Sequence, residues 1–378
     1  MNTRFPSSLS RPVALAAAAL ATALLATGPA QAAHGVAATA GQTDATSSTR
    51  PLPVVASFSI LADLVKQVGG DRVAVESLVK AGGDTHVFQP GPAQVRQLSS
   101  ASLVVVNGLG FEGWMPRLIG SSGYKGPVVE AARGLQAMKA TDDHHHHDAD
   151  DDDHDHEGPH GHDHDHDGPH GHDHDEDGPH GHSHADHDHD EASHGHHHHH
   201  HGGLDPHAWQ DALNVRHYVA NIAEGLCQAA PADCGGFRER ARAYDQKLLE
   251  LDQEIHQAVD ATPTDRRRVM VSHAAFGYYG RAYHITFMAP VGISTEEEPS
   301  AAVVANLIRQ ARQQNVQAFF FENNSDPRLL KRMASELKNV TIGELYADSL
   351  SPANGPAADY LSMMRYNTRA ITQALSNK

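Results

Sequence analysis

The chain is 378 residues long and carries 29 Lys and Arg against 47 Asp and Glu, for a formal net charge of −18. Residues 142–201 hold 20 of the acidic residues and no Lys or Arg; with the two arginines of a cleaved leader set aside, the rest balances 27 basic against 27 acidic residues. The body outside that stretch is therefore close to neutral, and no basic patch points to nucleic acid.

At the N-terminus, Arg4 and Arg11 flank the start of an apolar run from Val13 to Leu25 that is too short to span a bilayer. Ala30-Gln31-Ala32 has the small-x-small pattern of a cleavage site. Residues 1–32 thus read as a secretory signal peptide cleaved near Ala32. No later segment has about 18 apolar residues in a row, and no cysteine follows the cleavage site to carry a lipid anchor. The expected location is a soluble, unanchored state in a Gram-negative periplasm. Residues 33–50, rich in Ala, Thr, Ser and Gly, read as a disordered tail.

From Leu52 the pattern alternates between strand and helix. Pro53 to Phe58 is a β-rich run, and Ile60 to Val68 has helical spacing and stops at Gly69-Gly70. Val73 to Val79 alternates as a strand, and Pro90 to Ser100 reads as a helix with proline near its start. Leu103 to Val106 and Val128-Val129 read as further strands. This βαβα order predicts a parallel sheet covered by helices, with residues 51–140 forming an N-terminal α/β lobe.

Residues 141–201 break the pattern. Of the 32 histidines, 25 lie between positions 142 and 201. They include His144, His145, His146, His147, His160, His162, His164, His196, His197 and His198. Gly158-Pro-His-Gly-His-Asp-His-Asp165 recurs from Gly168 and in part from Gly178. With almost no apolar side chains the stretch cannot build a core and reads as a disordered loop. Neutral imidazole and carboxylate are ligands for divalent transition metals, so it reads as a low-affinity metal binder. The competing reading is a tolerated, solvated insertion that binds metal incidentally.

Beyond it, Ala212 to Gln228 and Phe237 to Val259 look helical, the second with Leu248, Leu251, Ile255 and Val259 at three-to-four spacing. Residues 202–235 would complete the first lobe, and 236–262 would form a connecting helix. Strand-like runs return at Val269–Val271, Ile285–Phe287, Ala318–Phe321 and Val340–Ile342. Helical patterns at Ala301–Gln313, Pro327–Leu337 and Ala357–Leu375 separate or follow them, giving a second α/β lobe over 263–378. The expected fold class is α/β: two (β/α) lobes with parallel sheets joined by a long rigid helix. Cys227 and Cys234, the two cysteines of the chain, read as a local disulfide in an oxidising compartment; a metal-binding pair is the weaker alternative there.

Seven histidines lie outside the loop. His34 belongs to the tail. His86 follows a strand and precedes a helix, His207 sits in Asp205-Pro-His-Ala-Trp209 leading into a helix, and His273 ends the strand beginning at Val269. Loop and strand-end positions at the carboxyl edge of a parallel sheet are where α/β proteins bind ligands. Each of these three alone reads as structural; together they shift the reading toward a site. His217 and His256 fall on helices, and His284 starts a strand; all three read as packing or surface residues.

Several segments, in order, resemble the solute-binding proteins of zinc- and manganese-uptake ABC transporters, the ZnuA-like cluster. They are Gly83-Asp-Thr-His86 with Pro90, Asp205-Pro-His-Ala-Trp209, Ser272-His-Ala-Ala-Phe-Gly-Tyr278, Glu298-Pro-Ser300, Leu345-Tyr-Ala-Asp-Ser-Leu350, Gly355-Pro-Ala and Tyr360-Leu-Ser-Met-Met-Arg-Tyr-Asn367. The resemblance runs from about Leu52 to the C-terminus. It implies one metal in the cleft between the lobes, held by His86 and His207 from the first lobe, His273 from the second and Asp348 late in the chain. One zinc subtype has Glu immediately before the first histidine; this chain has Thr85, which favours Asp348 as the fourth ligand.

Three imidazoles and a carboxylate suit tetrahedral Zn²⁺, whereas Mn²⁺ prefers more oxygen ligands. The set has no obvious vacancy and no separate base, so hydrolase chemistry has little support. Glu296, Glu297, Glu298 and Glu322 read as solvated or structural. The resemblance implies a binding protein, not an enzyme, that delivers Zn²⁺ to an inner-membrane ABC permease with its ATPase. It is expected to be a monomer, with a periplasmic zinc chaperone as a further partner. The alternatives are a manganese or broad divalent-metal carrier and, in another class, a zinc buffer or chaperone not coupled to a transporter.

Overall fold

The computed structural model describes residues 50–140 and 203–376. The expected signal peptide, tail and His-rich loop, with the ten loop histidines named above, lie outside the described residues.

The first sheet takes its strands from β1 (Leu52–Phe58), β2 (Val73–Val79), β3 (Leu103–Val106) and β4 (Val128–Glu130), in the spatial order β2-β1-β3-β4. All pairs are parallel, with Ala56 of β1 opposite Ser77 on one side and Val105 on the other. The last five residues of β1 are buried whichever face they point to, as expected of a strand covered by helices on both sides. Helix α1 (Ser59–Gly69) lays Ile60, Leu61, Leu64, Val65 and Val68 on this sheet, and Gly70, at φ 58°, ends it. Helices α2 (Pro92–Ser99) and α3 (Met115–Ser122) complete the crossovers.

Chain resumes in α4 (Ala212–Ala229) and α5 (Cys234–Asp260). At 27 residues, α5 is about 40 Å long at 1.5 Å per residue. Its buried stripe is Phe237, Ala241, Tyr244, Leu248, Leu251, Ile255 and Val259. Cys227 and Cys234 are disulfide-bonded across the turn between these helices.

The second sheet repeats the first. It is built from β5 (Arg268–Val271), β6 (Thr286–Met288), β7 (Ala318–Glu322) and β8 (Thr341–Leu345), in the order β6-β5-β7-β8, again parallel throughout. Its helices are α6 (Gly277–Tyr283), α7 (Ala301–Gln313), α8 (Arg328–Ser335) and α9 (Tyr360–Ser376). Strand alternation divides its side chains. Val269, Val271 and Phe320 join a core that also contains Val55, Val104 and Leu248. Met270 and Phe319 pack on the other face with Leu330 and Met333.

Helix α9 follows the second sheet yet packs against α5 and α1. The Tyr360 backbone N–H donates to Asp63 Oδ2 on α1 at 2.9 Å, and its hydroxyl donates to the Trp209 carbonyl at 2.7 Å.

The expected α/β class with two parallel-sheet lobes is what the chain forms. Sequence patterning missed α3 and α6, which have only 8 and 7 residues. Helix α2 begins at Pro92 rather than Pro90, because Gly91 takes the extended N-cap position.

Candidate metal centre

Carboxyl ends of strands supply the site. His86 lies in the segment after β2, His273 two residues beyond β5 and Asp348 three residues beyond β8. His207 precedes α4, at the end of the connection from β4. The structure brings these four residues together, with one donor atom from each lying within 4.8 Å of all the others.

All three imidazoles turn Nε2 inward. His86 Nε2 is 3.3 Å from His207 Nε2 and 3.4 Å from Asp348 Oδ2. His207 Nε2 is 3.6 Å from Asp348 Oδ1, and His273 Nε2 is 3.2 Å from Asp348 Oδ2. Donors about 2.0 Å from a tetrahedral zinc ion stand about 3.3 Å apart, close to these four separations, of which the His207 one is to the other carboxylate oxygen. His207, His273 and Asp348 are buried, and His86 is partly exposed. Both Asp348 oxygens and His273 Nε2 are buried without a hydrogen-bond partner. Orphaned buried acceptors are costly unless something binds them.

Carboxylates fix two of the rings from behind. Asp205 Oδ1 lies 2.8 Å from His207 Nδ1 and accepts the His207 backbone N–H at 2.9 Å. Glu322 Oε2 lies 2.5 Å from His273 Nδ1, and Oε1 accepts the His273 N–H at 3.1 Å. A carboxylate on Nδ1 sets the tautomer and leaves the Nε2 lone pair for a metal. The His86 ring instead meets Phe111 edge-on at 4.9 Å. Its backbone N–H donates to Asp84 Oδ1 at 2.9 Å, and Asp84 Oδ2 accepts from Thr295 Oγ1 at 2.8 Å.

Charge is concentrated here. Burial acts against a charged His273, but the Glu322 and Asp348 carboxylates outweigh it and raise its pKa well above the ordinary value. Burial likewise disfavours a charged Asp348, yet the neighbouring His273 and His207 hold its carboxyl well below the usual range. The pocket thus favours positive charge among these groups, whether carried by a protonated imidazole or by a bound cation.

His217 and His284 are exposed on the surface, and His256 on α5 is 3.9 Å from Asp252; none joins the cluster. Glu296, Glu297 and Glu298 are exposed. Glu322 is buried and structural, gripping His273. The role of Asp205 was missed, although a signal for it stands in the sequence. Asp84-Thr-His86 and Asp205-Pro-His207 share Asp-x-His spacing, and in each the aspartate accepts the histidine N–H two residues on, a local turn bond that Asp makes readily.

The profile of a family described as the periplasmic component A of the zinc-uptake complex matches residues 54–374. The chain is 26% identical over 341 residues to the manganese ABC transporter substrate-binding lipoprotein PsaA of Streptococcus anginosus, covering 90% of this chain and 94% of that one. It is 25% identical to the manganese-binding lipoprotein MntA of Halalkalibacterium halodurans, covering 86% and 89%. Among solved structures, the periplasmic zinc-binding protein TroA of Treponema pallidum superposes with a TM-score of 0.67 at 24% identity, over 86% of this chain and 99% of that one. The manganese-bound periplasmic metal-binding protein of Candidatus Liberibacter asiaticus gives 0.64 at 21% identity, over 85% and 98%. At these identities the structural matches show a shared fold.

These names correct one expectation. Relatives called lipoproteins are at odds with a soluble, unanchored protein; a location outside the cytoplasm is consistent with them. The unanchored reading rested on the lack of a cysteine at one position. That position bears on one kind of acylation, not on whether a metal-binding body is held at a membrane.

Proposed function

The chain belongs to the family of periplasmic zinc-uptake component A proteins, metal-binding components of ABC transporters and not enzymes, and from that premise we propose that it captures Zn²⁺ and delivers it to an inner-membrane ABC permease driven by its ATPase. His86, His207, His273 and Asp348 hold the ion. The observation that carries this reading is the donor set, three inward Nε2 atoms and one carboxylate within 4.8 Å of one another. Imidazole-rich, four-coordinate sites suit zinc, whereas manganese favours more oxygen. The protein works as a monomer, and an extracytoplasmic zinc chaperone is a candidate source of its metal.

The His-rich stretch of residues 142–201 acts as a low-affinity collector. A second binding segment tethered to the same chain raises the local metal concentration at the first.

A manganese or broad divalent-metal carrier is the second reading, favoured by relatives named for manganese and by the two orphaned oxygens of Asp348. Metal content and competitive titration of Zn²⁺ against Mn²⁺ separate the two, using the parent protein, a deletion of residues 142–201 and His273→Ala. The deletion variant should keep one tight zinc equivalent and lose total capacity, and His273→Ala should lose the tight equivalent. A deletion variant that takes Mn²⁺ in preference to Zn²⁺ sinks the zinc assignment.

A further inference from the structure

The base of the His-rich insertion is bound to the site by a residue outside the donor set. Lys139 and Leu204 form an antiparallel bridge. On either side of it, the Ala140 N–H donates to the Gly203 carbonyl at 2.8 Å and the Asp205 N–H to the Met138 carbonyl at 2.9 Å. The two ends of the insertion are thereby closed into a short stem, and the stem ends on Asp205, the residue that grips His207.

Tyr278 of α6, five positions after His273, reaches this stem with its hydroxyl. That oxygen accepts the Met138 N–H at 2.9 Å and donates to the Asp205 carbonyl at 3.0 Å. Tyr278 is fully buried, so the hydroxyl is spent on these two bonds. The preceding residue is Gly277, where a Cβ would stand 2.8 Å from Asp205 Oδ2. The start of α6 thus lies directly against the carboxylate that orients His207. The helix following one histidine of the cluster presses on the turn carrying another.

We propose that Tyr278 is a positioning residue for the metal site. Its hydroxyl fixes Asp205, and through Asp205 the His207 ring, while tying the stem of the insertion to the lobe that carries His273. The inference rests on the reading of the four-donor cluster as the metal site. Removing the hydroxyl loosens the support of one donor and leaves all four donors in place, so it weakens binding without abolishing it. Losing an outer support of a ligating histidine costs about 10- to 100-fold in affinity.

The test uses the full chain with Zn²⁺ against a competing chelator, and Co²⁺ as a spectroscopic substitute. The tight equivalent is identified as the one lost in His273→Ala. Tyr278→Phe should retain it with Kd raised about 10-fold and its cobalt absorption bands shifted. Tyr279→Phe is the matched control. Its buried hydroxyl bonds Thr368 Oγ1 at 2.8 Å within the second lobe and touches no part of the stem. Thermal unfolding of both variants compares the two hydroxyl deletions as structural losses. Kd and cobalt spectrum unchanged in Tyr278→Phe, or weakened equally in Tyr279→Phe, overturn the proposal. A parent protein with no tight equivalent lost in His273→Ala overturns the metal reading itself, and this inference with it.

Discussion

The indole N–H of Trp209 donates to the backbone carbonyl of Ala347 at 2.9 Å. The Gln210 side-chain amide donates to the same oxygen at 2.9 Å. His207 precedes Trp209 by two positions and Asp348 follows Ala347, so two donors 141 positions apart in sequence are set on one frame. Further bonds hold the Asp348 segment to the first lobe. The Leu350 N–H donates to Ser59 Oγ at 3.0 Å, and the Gly82 N–H to Ser349 Oγ at 2.6 Å. Trp209→Phe replaces the fully buried indole with a smaller ring and removes one of the two bonds to Ala347. Zinc affinity should fall several-fold and stability by about 2–3 kcal/mol, from the lost bond and the cavity together, read by competition titration and urea unfolding. A variant indistinguishable from the parent in affinity would show that Gln210 alone holds the frame.

Glu322→Gln should weaken zinc binding about 10- to 100-fold with the donor set intact. The amide can face His273 Nδ1 with its oxygen but no longer supplies a charge. Asp205→Asn should do the same at His207. Affinities measured by chelator competition decide the matter; an unchanged Kd in Glu322→Gln would leave its buried contact with His273 without functional weight.

Glu112 gives a pH signature separate from the metal. Burial pushes its carboxyl up to about 7, against hydrogen bonds from Ser57 Oγ and the Asn107 and Gly108 N–H groups that favour the charged form. Its ordinary value is 4.5. A folded-state pKa above the unfolded one contributes stability that is fully present below the unfolded value and is lost as pH rises through the folded value. The parent should therefore lose stability relative to Glu112→Gln between pH 5 and 8, by something on the order of 3 kcal/mol. Urea unfolding of both metal-free proteins across that range measures it. A stability difference that does not vary with pH would mean that Glu112 titrates alike in the folded and unfolded chain.

The disulfide should matter for stability and not for metal. Cys227 stands near the end of α4, about 20 Å along the helix from the His207 end. Replacing both cysteines by serine should cost about 2–3 kcal/mol in the loop-entropy account and leave zinc affinity unchanged. Thermal unfolding and titration of the double variant test both halves of that statement.

Long helices were legible because their apolar residues recur every three to four positions, and strands because they are short apolar runs, continuous as in Leu103–Val106 or alternating as in Val73–Val79. The first three histidines were legible as strand-end and turn residues; Asp348 stood out only by resemblance. What the sequence hid was the layer behind the donors. Glu322 lies 49 positions from His273, and Tyr278 lies 73 positions from Asp205. A pairing set by strand neighbours in a sheet, or by a helix crossing a seam, leaves no local spacing to read. Burial decided the role of Glu322, and burial of a lone carboxylate has no signature in the residues beside it.

The contiguous core bears on how the protein comes apart. Val55 and Val104 of one sheet, Leu248 of the long helix and Val269 and Phe320 of the other sheet belong to a single packed cluster. The long helix in the middle packs against α1 and α4 on one side of the chain order and α6 and α9 on the other. Two sheets of identical strand order that share one core are expected to unfold as one cooperative unit, with the four donors gained or lost in a single step.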